Sequence, residues 1–585
     1  MSYSSIPSAQ SVVLHCKAKG VKNIVISPGS RNAPLAIGFS ENPFFKCFSI
    51  VDERCAAFFA LGIAQRQREP VAVVCTSGSA LLNYYPAVAE AFYSRIPLLV
   101  FSADRPVYKI DIGDGQTIRQ DHVFARHIGY SANLKQDVSH ATETIEDLAP
   151  ELIDAAVSLT VNQADIQVYN DSELDKALTL ACREHTPVHI NIPFEEPLYD
   201  RIENTMVTPF VRTEETAMEK PVPDMRSFVE RWNASKRKMV LIGVNYPHSV
   251  EQQFLDELAE DGSVIVFTET TSNLHQPRFF PSIDSIIAPI EKSDDRDRLF
   301  KELQPDVLLT FGGLIVSKKI KAFLRAYRPK EHWHVDDKRA YNTFFNLSHH
   351  FEMNVNGFFD AFLGKVETQT SDYRNHWTSV KLGYEKKREA YMGSIPFSDM
   401  LVFHHLIAAI PKNYQLHLAN SSAVRYAQLF HFDPSIQVFC NRGTSGIDGS
   451  TSTAVGAALY YKEPTLLITG DLSFFYDSNG LWNAHIRPDF RIVLINNQGG
   501  GIFRILPGAE DTANFEDYFE TIHKFSAAQL CDMYGFEHLA VGDGESLESA
   551  LPAFYQKSDA PKLMEIRTPR LLNDKILRDY FDFIS

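Results

Sequence analysis

The chain has 585 residues, 44% of them hydrophobic and 22% charged, and its net charge is −16 at neutral pH. At about 150 residues per domain this length corresponds to three or four domains, and the composition is that of a folded globular protein. The acidic balance argues against a nucleic-acid footprint and against anchoring to anionic lipid, and leaves only local basic pockets for small anions.

No apolar run approaches the ~20 residues that a membrane span requires. The first residues, MSYSSIPSAQ, lack the charged-then-apolar build of a secretory signal. Cys16, Cys47, Cys55, Cys75, Cys182, Cys440 and Cys531 form no CxxC pair and read as reduced structural thiols, not as a disulfide framework or zinc site. The expected location is the cytoplasm.

Short apolar runs alternate with helix-like stretches along the chain. NIVIS (23–27), PVAVVCTS (70–77), PLLVFSAD (97–104) and VHINIP (188–193) read as buried parallel strands. ERCAAFFALGIAQRQ (53–67) and NYYPAVAEAFYSR (83–95) are the clearest helices between them. A polar, proline-punctuated stretch at 193–224 reads as a linker. A second unit follows with KMVLIGVNYP (238–247), SVIVFTE (263–269), DVLLTFGG (306–313) and HWHVDD (332–337). An aromatic and charged run at about 367–395 separates it from a third. That third unit carries QLHLAN (415–420), QVFCN (437–441), TLLITGD (465–471) and RIVLINN (491–497). The alternation predicts an α/β protein of three doubly wound parallel-sheet domains, over residues 1–195, 196–366 and 367–585. A faint echo between TSGSALLNYYPAVAEAFYSRIPLLVFSAD and TSTAVGAALYYKEPTLLITGD fits duplicated domains.

The sharpest signal is GDLSFFYDSNGLW (470–482), followed by NNQGGGIF (496–503). TLLITG predicts a strand with Asp471 at its C-terminal end, and RIVLI a strand that ends in Asn496 and Asn497. DSNGLWNA is expected to open a helix with Asp477 or Ser478 as its N-cap. The two strand ends meet where open α/β sheets bind ligands. A carboxylate and an amide oxygen brought together there suit a hard cation such as Mg²⁺, and the glycines at 499–501 allow close approach of the backbone. The bland alternative is a strand–helix–strand unit in which Asp471 caps a helix and the asparagines make a turn. A dinucleotide site lacks its GxGxxG here.

Glu53 opens an apolar helix directly after CFSIV, where a first-turn glutamate is also favoured by the helix dipole alone. SPGSRNAPL, SADRP, NSSAVRY and NRGTSGIDG place Arg31, Arg105, Arg425 and Arg442 at strand ends. Arginine binds carboxylates in two-point fashion, so four such residues in an acidic protein imply carboxylate-rich substrates. Each taken singly reads better as a surface or interdomain salt bridge.

Gly-Asp, a spacer and Asn-Asn resemble the thiamine-diphosphate motif, with Leu472 where its third residue is usually glycine. The resemblance implies thiamine diphosphate with Mg²⁺, or Mn²⁺ in its place. The metal ligands would be Asp471, the Asn497 side chain and the Gly499 carbonyl, with Gly470, Leu472, Ser473, Gly500 and Ile502 lining the cofactor. It makes Glu53 the carboxyl that protonates the aminopyrimidine at N1′. In that superfamily the glutamate and the metal site lie on different subunits, which implies a homodimer with interface sites, or a tetramer.

SPGSR, DER, TSG, SADRP, NRGTSGIDG and GDLSFFYDSNGL together resemble the 2-succinyl-5-enolpyruvyl-6-hydroxy-3-cyclohexene-1-carboxylate synthase (MenD) family of menaquinone biosynthesis. The resemblance implies decarboxylation of 2-oxoglutarate and 1,4-addition of the succinyl carbanion equivalent to isochorismate. Ser421, Arg425 and Arg442 would hold carboxylates of the 2-oxoglutarate-derived part, and Ser30, Arg31, Arg105 and Gln116 would hold isochorismate. Lys318 and Lys319 match a basic pair that reaches the same pocket. Ile447, Ile502, Phe503 and Leu506 would form its apolar wall, with Ile447 bracing the bent cofactor. The pair is Lys-Lys where Lys-Arg is common, and Gly115 precedes Gln116 where the family often has asparagine. The competing readings are another thiamine-diphosphate decarboxylase or carboligase, such as a flavin-binding acetohydroxyacid synthase, and a non-catalytic protein on the same scaffold.

Overall fold

The computed structural model describes residues 2–211, 221–505 and 513–585. They form two compact units: Met1–Thr216 with Gly443–Lys462 and Phe474–Phe490, and Ala217–Arg442 with Glu463–Ser473 and Arg491–Ser585.

The first unit is built on a six-stranded parallel sheet. Its order is Lys46–Ser49, Asn23–Ile26, Val71–Cys75, Leu98–Asp104, Val188–Pro193 and Tyr130–Asn133. Every residue of Val71–Cys75, Leu98–Asp104 and Val188–Pro193 is buried. Burial on both faces explains why these strands read as unbroken apolar runs. The helix Glu53–Gln67 has the expected bounds: Asp52 caps it by accepting from Cys55 N at 3.1 Å, and Arg68 ends it in the left-handed region. The helix expected over 83–95 spans Tyr85–Ser94, and a separate short helix, Ser79–Asn83, precedes it. Pro86 stands in the first turn of Tyr85–Ser94, where its missing N–H is tolerated but an incoming helix cannot continue. Within the linker, Arg201–Ile202 pairs antiparallel with Tyr3–Ser4, and residues 212–220 lie outside the described residues.

Helix Glu53–Gln67 crosses helix Ser450–Ala458 in backbone contact. A Cβ on Gly62 would lie 2.0 Å from the Thr453 carbonyl oxygen, and one on Gly456 would lie 2.0 Å from that of Phe59.

The second unit holds two parallel sheets. One runs Val264–Phe267, Lys238–Ile242, Val307–Phe311, Glu331–Val335, Leu347–Phe351. The other runs Gln437–Phe439, Gln415–Leu418, Thr465–Gly470, Arg491–Asn496, Lys562–Arg567, Glu537–Val541. The run at 367–395 is a 20-residue helix, Tyr373–Met392, rather than a plain separator. Its buried residues Tyr373, Trp377, Tyr384, Arg388 and Tyr391 recur at helical spacing, so the aromatics form one core-facing stripe. Asn273 then ties the two sheets' segments together: its Nδ2 donates to Val438 O and its Oδ1 accepts from Val438 N, both at 2.8 Å.

The helix expected to open near Asp477 begins instead at the strand end and spans Asp471–Tyr476, with a 3-10 turn at Ser478–Leu481. Asp477 does not cap it, because its buried carboxylate is engaged by Ser452, from N at 2.8 Å and from Oγ at 3.1 Å.

Candidate active site

In the second unit, strands Thr465–Gly470 and Arg491–Asn496 are parallel neighbours with Gly470 opposite Ile495. Asp471 and the asparagine pair therefore leave the sheet side by side. Asp471 is buried; its Oδ1 accepts from Leu472 N at 2.7 Å and its Oδ2 from Gly499 N at 3.0 Å. His523 Nε2 lies 3.2 Å from the same Oδ2.

The two asparagines have different duties. Asn497 Nδ2 donates to Asp399 Oδ2 at 3.0 Å, which leaves Oδ1 as the end of the amide free to face a ligand. Asp399 also accepts from Thr568 Oγ1 at 2.6 Å. Burial, with the Asp471 charge adding to it, pushes Asp399 up to about 6 against these hydrogen bonds. Asn496 is structural: its Nδ2 donates to Glu565 Oε1 at 2.8 Å and its Oδ1 accepts from Gln498 N at 3.2 Å. Burial opposes ionisation of Glu565, but hydrogen bonds from His538, Ser526 and Asn496 hold it down at about 2.

Only glycine fits at 499. Its φ is +154°, and a Cβ there would lie 2.7 Å from the Glu520 carbonyl oxygen. That oxygen accepts from Gly500 N at 2.6 Å. The buried Glu520 carboxylate is gripped by Arg504 Nε at 2.7 Å and Arg570 Nη1 at 2.6 Å, which anchors the loop of Gly499, Gly500, Ile502 and Phe503. Phe503 meets Phe519 edge-on at 6.1 Å. Ser473 is buried and Leu472 is the second residue of the helix, while Leu506 lies outside the described residues.

This set fits a diphosphate-bound cation. Two buried carboxylates, Asp399 and Asp471, stand close enough that the Asp471 charge opposes ionisation of Asp399, and a fixed amide oxygen adjoins them. Carboxylate, amide and backbone oxygens are the donors that Mg²⁺ takes, usually alongside phosphate. No group of three or more His, Cys, Asp or Glu side chains is placed to hold a metal among the described residues, so such a site depends on the amide and carbonyl oxygens.

The second unit also gathers Arg425 and Arg442. Arg442 Nη1 donates to Asn420 Oδ1 at 2.6 Å. No described residue hydrogen-bonds the half-buried Arg425 guanidinium. Burial pushes Arg425 down, Asp284 and Glu269 oppose this, and Arg442 adds to it. Ser421, just ahead of helix Ser422–Ala427, has φ +69° and ψ −125°, a strained conformation for a residue with a Cβ. Of the predicted basic pair, Lys318 is exposed and Lys319 is paired with Glu291.

In the first unit, Glu53 lies over the end of strand Val71–Cys75: burial, then the Glu53 charge, raises the Cys75 thiol. No described residue hydrogen-bonds the Glu53 carboxylate. Arg31 is buried, donating from Nη1 to Phe194 O at 2.9 Å and from Nη2 to Glu196 Oε1 at 3.0 Å. Arg105 Nη2 donates to Gly115 O at 3.1 Å. The Nε atoms of both arginines are buried without a hydrogen-bond partner. Burial first, and Arg105 next, lower Arg31. Ser30 and Gln116 are exposed, and the Gln116 backbone, at φ +57°, lies against Gly78. Ile447 is 39% exposed.

A buried polar network beneath Arg105 was not visible in the sequence. Asn191 Nδ2 donates to Asp104 Oδ2 at 2.8 Å, Gln120 Nε2 to Asn191 Oδ1 at 2.8 Å, and Gly78 N to Gln120 Oε1 at 2.8 Å. Burial pushes Asp104 up to about 6. Asp399, Glu565, Glu520 and His523 were likewise missed in the sequence, because each comes from a segment far from the residue that it supports and has no spacing signal.

Comparison with known proteins accounts for this arrangement. The N-terminal and C-terminal binding domains of thiamine pyrophosphate enzymes match residues 8–126 and 420–566, and the middle domain of such enzymes matches 206–418. The chain therefore carries thiamine-diphosphate-binding domains. Benzoylformate decarboxylase from Polynucleobacter necessarius shares the fold, with a TM-score of 0.67 and 16% identity over 97% of this chain and 99% of that one. The 2-succinyl-5-enolpyruvyl-6-hydroxy-3-cyclohexene-1-carboxylate synthase of Christiangramia forsetii is 54% identical over 100% of both chains. Those of Flavobacterium johnsoniae and Porphyromonas gingivalis are 53% and 36% identical, over 99% and 97% of this chain and 99% and 95% of theirs. With its oxygen-lined strand ends, glycine loop and arginine pairs, the chain belongs to the 2-succinyl-5-enolpyruvyl-6-hydroxy-3-cyclohexene-1-carboxylate synthase family of thiamine-diphosphate enzymes.

Proposed function

We propose that this chain decarboxylates 2-oxoglutarate and adds the resulting succinyl unit in 1,4-fashion to isochorismate. The products are 2-succinyl-5-enolpyruvyl-6-hydroxy-3-cyclohexene-1-carboxylate and CO₂, in menaquinone biosynthesis. When bound, thiamine diphosphate supplies the nucleophilic carbon and the electron sink for loss of CO₂.

The protein supplies position and charge. Asp471, Asn497 Oδ1 and the Gly499 carbonyl hold Mg²⁺ or Mn²⁺ and, through it, the diphosphate, along the backbone of Gly470, Leu472, Ser473 and Gly500. Glu53 holds a proton at the pyrimidine N1′. Ser421, Arg425 and Arg442 hold the donor carboxylate. Ser30, Arg31, Arg105 and Gln116 hold the acceptor, and Lys318 and Lys319 border the same pocket. Ile447, Ile502, Phe503 and Leu506 exclude water, with Ile447 under the cofactor. In this reading residues 1–195 bind the pyrimidine, 367–585 bind the diphosphate and 196–366 form the central domain. The assembly is a homodimer with sites at the subunit interface, or a tetramer. No helix among the described residues is long and apolar enough to cross a membrane; the proposed location is the cytoplasm.

One observation carries the choice of substrates: Arg31 and Arg105 each keep a buried Nε–H without a hydrogen-bond partner. An enzyme for small apolar oxo acids has no use for them, because unpaired buried donors cost about 1–3 kcal/mol each. The test is loss of isochorismate absorbance with thiamine diphosphate, Mg²⁺ and 2-oxoglutarate, omitting each in turn. Loss that needs all of them, with matching CO₂ release, supports the reaction. CO₂ release with isochorismate untouched favours a simple 2-oxo acid decarboxylase and removes the acceptor.

A further inference from the structure

The second half of GDLSFFYDSNGLW has no part in the site described above, yet three of its residues grip the chain on both sides of Glu53. Tyr476, Asp477 and Asn479 lie where the helix Asp471–Tyr476 gives way to the 3-10 turn Ser478–Leu481, and they belong to the first unit, as the Glu53 helix does. Asn479 Nδ2 donates to Asp52 Oδ2 at 2.8 Å. The other oxygen of that carboxylate is the helix cap, which accepts from Cys55 N at 3.1 Å. Arg54 Nη2 donates to the Tyr476 carbonyl oxygen at 2.8 Å, and its guanidinium lies 4.6 Å from the centre of the Tyr476 ring. Cys55 Sγ donates to Asp477 Oδ1 at 3.6 Å. Asp477 is fully buried and is held in turn by Ser452, and a Cβ on Gly480 would lie 2.6 Å from the Ser452 hydroxyl, so the turn has no room to shift there.

The first turn of a helix is its loosest part, because its leading N–H groups have no partner within the helix. Successive side chains leave the axis about 100° apart, at 3.6 residues per turn. Anchors on Asp52, Arg54 and Cys55 therefore surround the axis and fix the rotation of this turn as well as its place. Of residues 52–55, Glu53 alone has no described hydrogen-bond partner, although it is half-buried. A carboxylate withdrawn from water is costly to leave unmatched, so the turn is held firm around a group that something bound must satisfy.

We propose that Asn479 is the positioning residue of Glu53. Acting through the Asp52 cap, it sets the rotation of the first turn and so the place of the carboxyl that faces the pyrimidine N1′. This rests on the role given to Glu53 above and deepens it. A shared proton requires heavy atoms about 2.6–3.2 Å apart, and a displacement of about 1 Å costs on the order of 10²-fold, so a small rotation of the turn is enough to matter.

The test is exchange of the thiamine C2 proton for deuterium in the full-length protein with thiamine diphosphate and Mg²⁺, without substrate. That exchange needs the proton at N1′ and none of the substrate contacts. Asn479→Ala, at an exposed position, is expected to slow it about 10-fold, a fraction of what a full displacement costs, with the dissociation constant for thiamine diphosphate in place. In the protein without cofactor the same variant is expected to speed amide exchange at the start of the Glu53 helix. Asp52→Asn slows C2 exchange too, because an amide offers one oxygen where the carboxylate serves two donors. Adding Asn479→Asp to Asp52→Asn restores the pair with donor and acceptor reversed, and most of the rate returns. Wild-type C2 exchange in Asn479→Ala overturns the proposal, and so does a double variant that stays as slow as Asp52→Asn. Glu53→Gln separates the positioning from the role of Glu53 itself. If Glu53→Gln exchanges C2 at the wild-type rate, that role falls and the proposal with it. If Glu53→Gln is slow and Asn479→Ala is not, only the positioning falls.

Discussion

Asp399 and Asn497 are joined by one hydrogen bond of 3.0 Å, and that bond decides which end of the asparagine amide faces the site. An amide has a donor end and an acceptor end. With Nδ2 held by Asp399, Oδ1 is the end presented beside Asp471. Outer partners of this kind are worth about 10–100-fold in metal affinity. Asp399→Asn is expected to raise the Mg²⁺ concentration for half-maximal activity by that factor, with activity restored by excess Mg²⁺. An unchanged Mg²⁺ titration means that the amide is oriented by something else.

Glu53 stands half-buried at the first turn of its helix with no described residue bonded to its carboxylate, whereas the buried acids Asp104, Glu269, Asp399, Asp471, Asp477, Glu520 and Glu565 all accept hydrogen bonds or ion pairs. Glu53→Gln keeps the shape and removes the proton. The variant is expected to bind thiamine diphosphate, seen as quenching of intrinsic fluorescence, and to lose about 10²–10⁴-fold in turnover. Wild-type turnover would sink the role of Glu53.

The parts of the fold that are buried on both faces were legible in the sequence, because full burial leaves unbroken apolar runs between turn residues. Val188–Pro193 and Glu53–Gln67 have the bounds read from the sequence. Misreadings arose where a side chain spends its hydrogen bonds far away. Asp477 looks like a helix cap, but Ser452 takes its carboxylate. The run at 367–395 looks like a separator because its apolar stripe is made of tyrosine and tryptophan, which carry polar atoms. The ligand-facing residues announce themselves by strand-end position. Their supports, such as Asp399 under Asn497 and Glu565 under Asn496, do not, since nothing local ties residues 98 and 69 positions apart.

Arg105 keeps a buried Nε without a partner while one Nη is spent on the Gly115 carbonyl. A carboxylate bound there would gain charge-assisted bonds worth about 1.5–3 kcal/mol. Arg105→Ala is expected to raise the KM for isochorismate about 10–100-fold, with the KM for 2-oxoglutarate unmoved. Equal rises in both constants would show that Arg105 supports the loop and does not touch the acceptor.

Gly62 and Gly456 give a prediction whose sign is diagnostic. In an open helix, replacing glycine by alanine stabilises by roughly 0.5–1 kcal/mol, because glycine loses more backbone freedom on folding. Here each added Cβ meets a carbonyl oxygen of the facing helix at 2.0 Å, far inside contact distance, and the obstacle is backbone that cannot rotate away. Overpacking of this kind costs about 1–3 kcal/mol, which outweighs the entropic gain. Gly62→Ala and Gly456→Ala are each expected to lower the denaturant midpoint. The two sites share one crossing, so a separation of the helices that admits one methyl also relieves the other, and the double variant should lose less than the sum. A midpoint that rises in either single variant would mean that the helices do not approach this closely. Strictly additive losses would mean that they cannot move apart as rigid bodies and that each methyl strains its own helix.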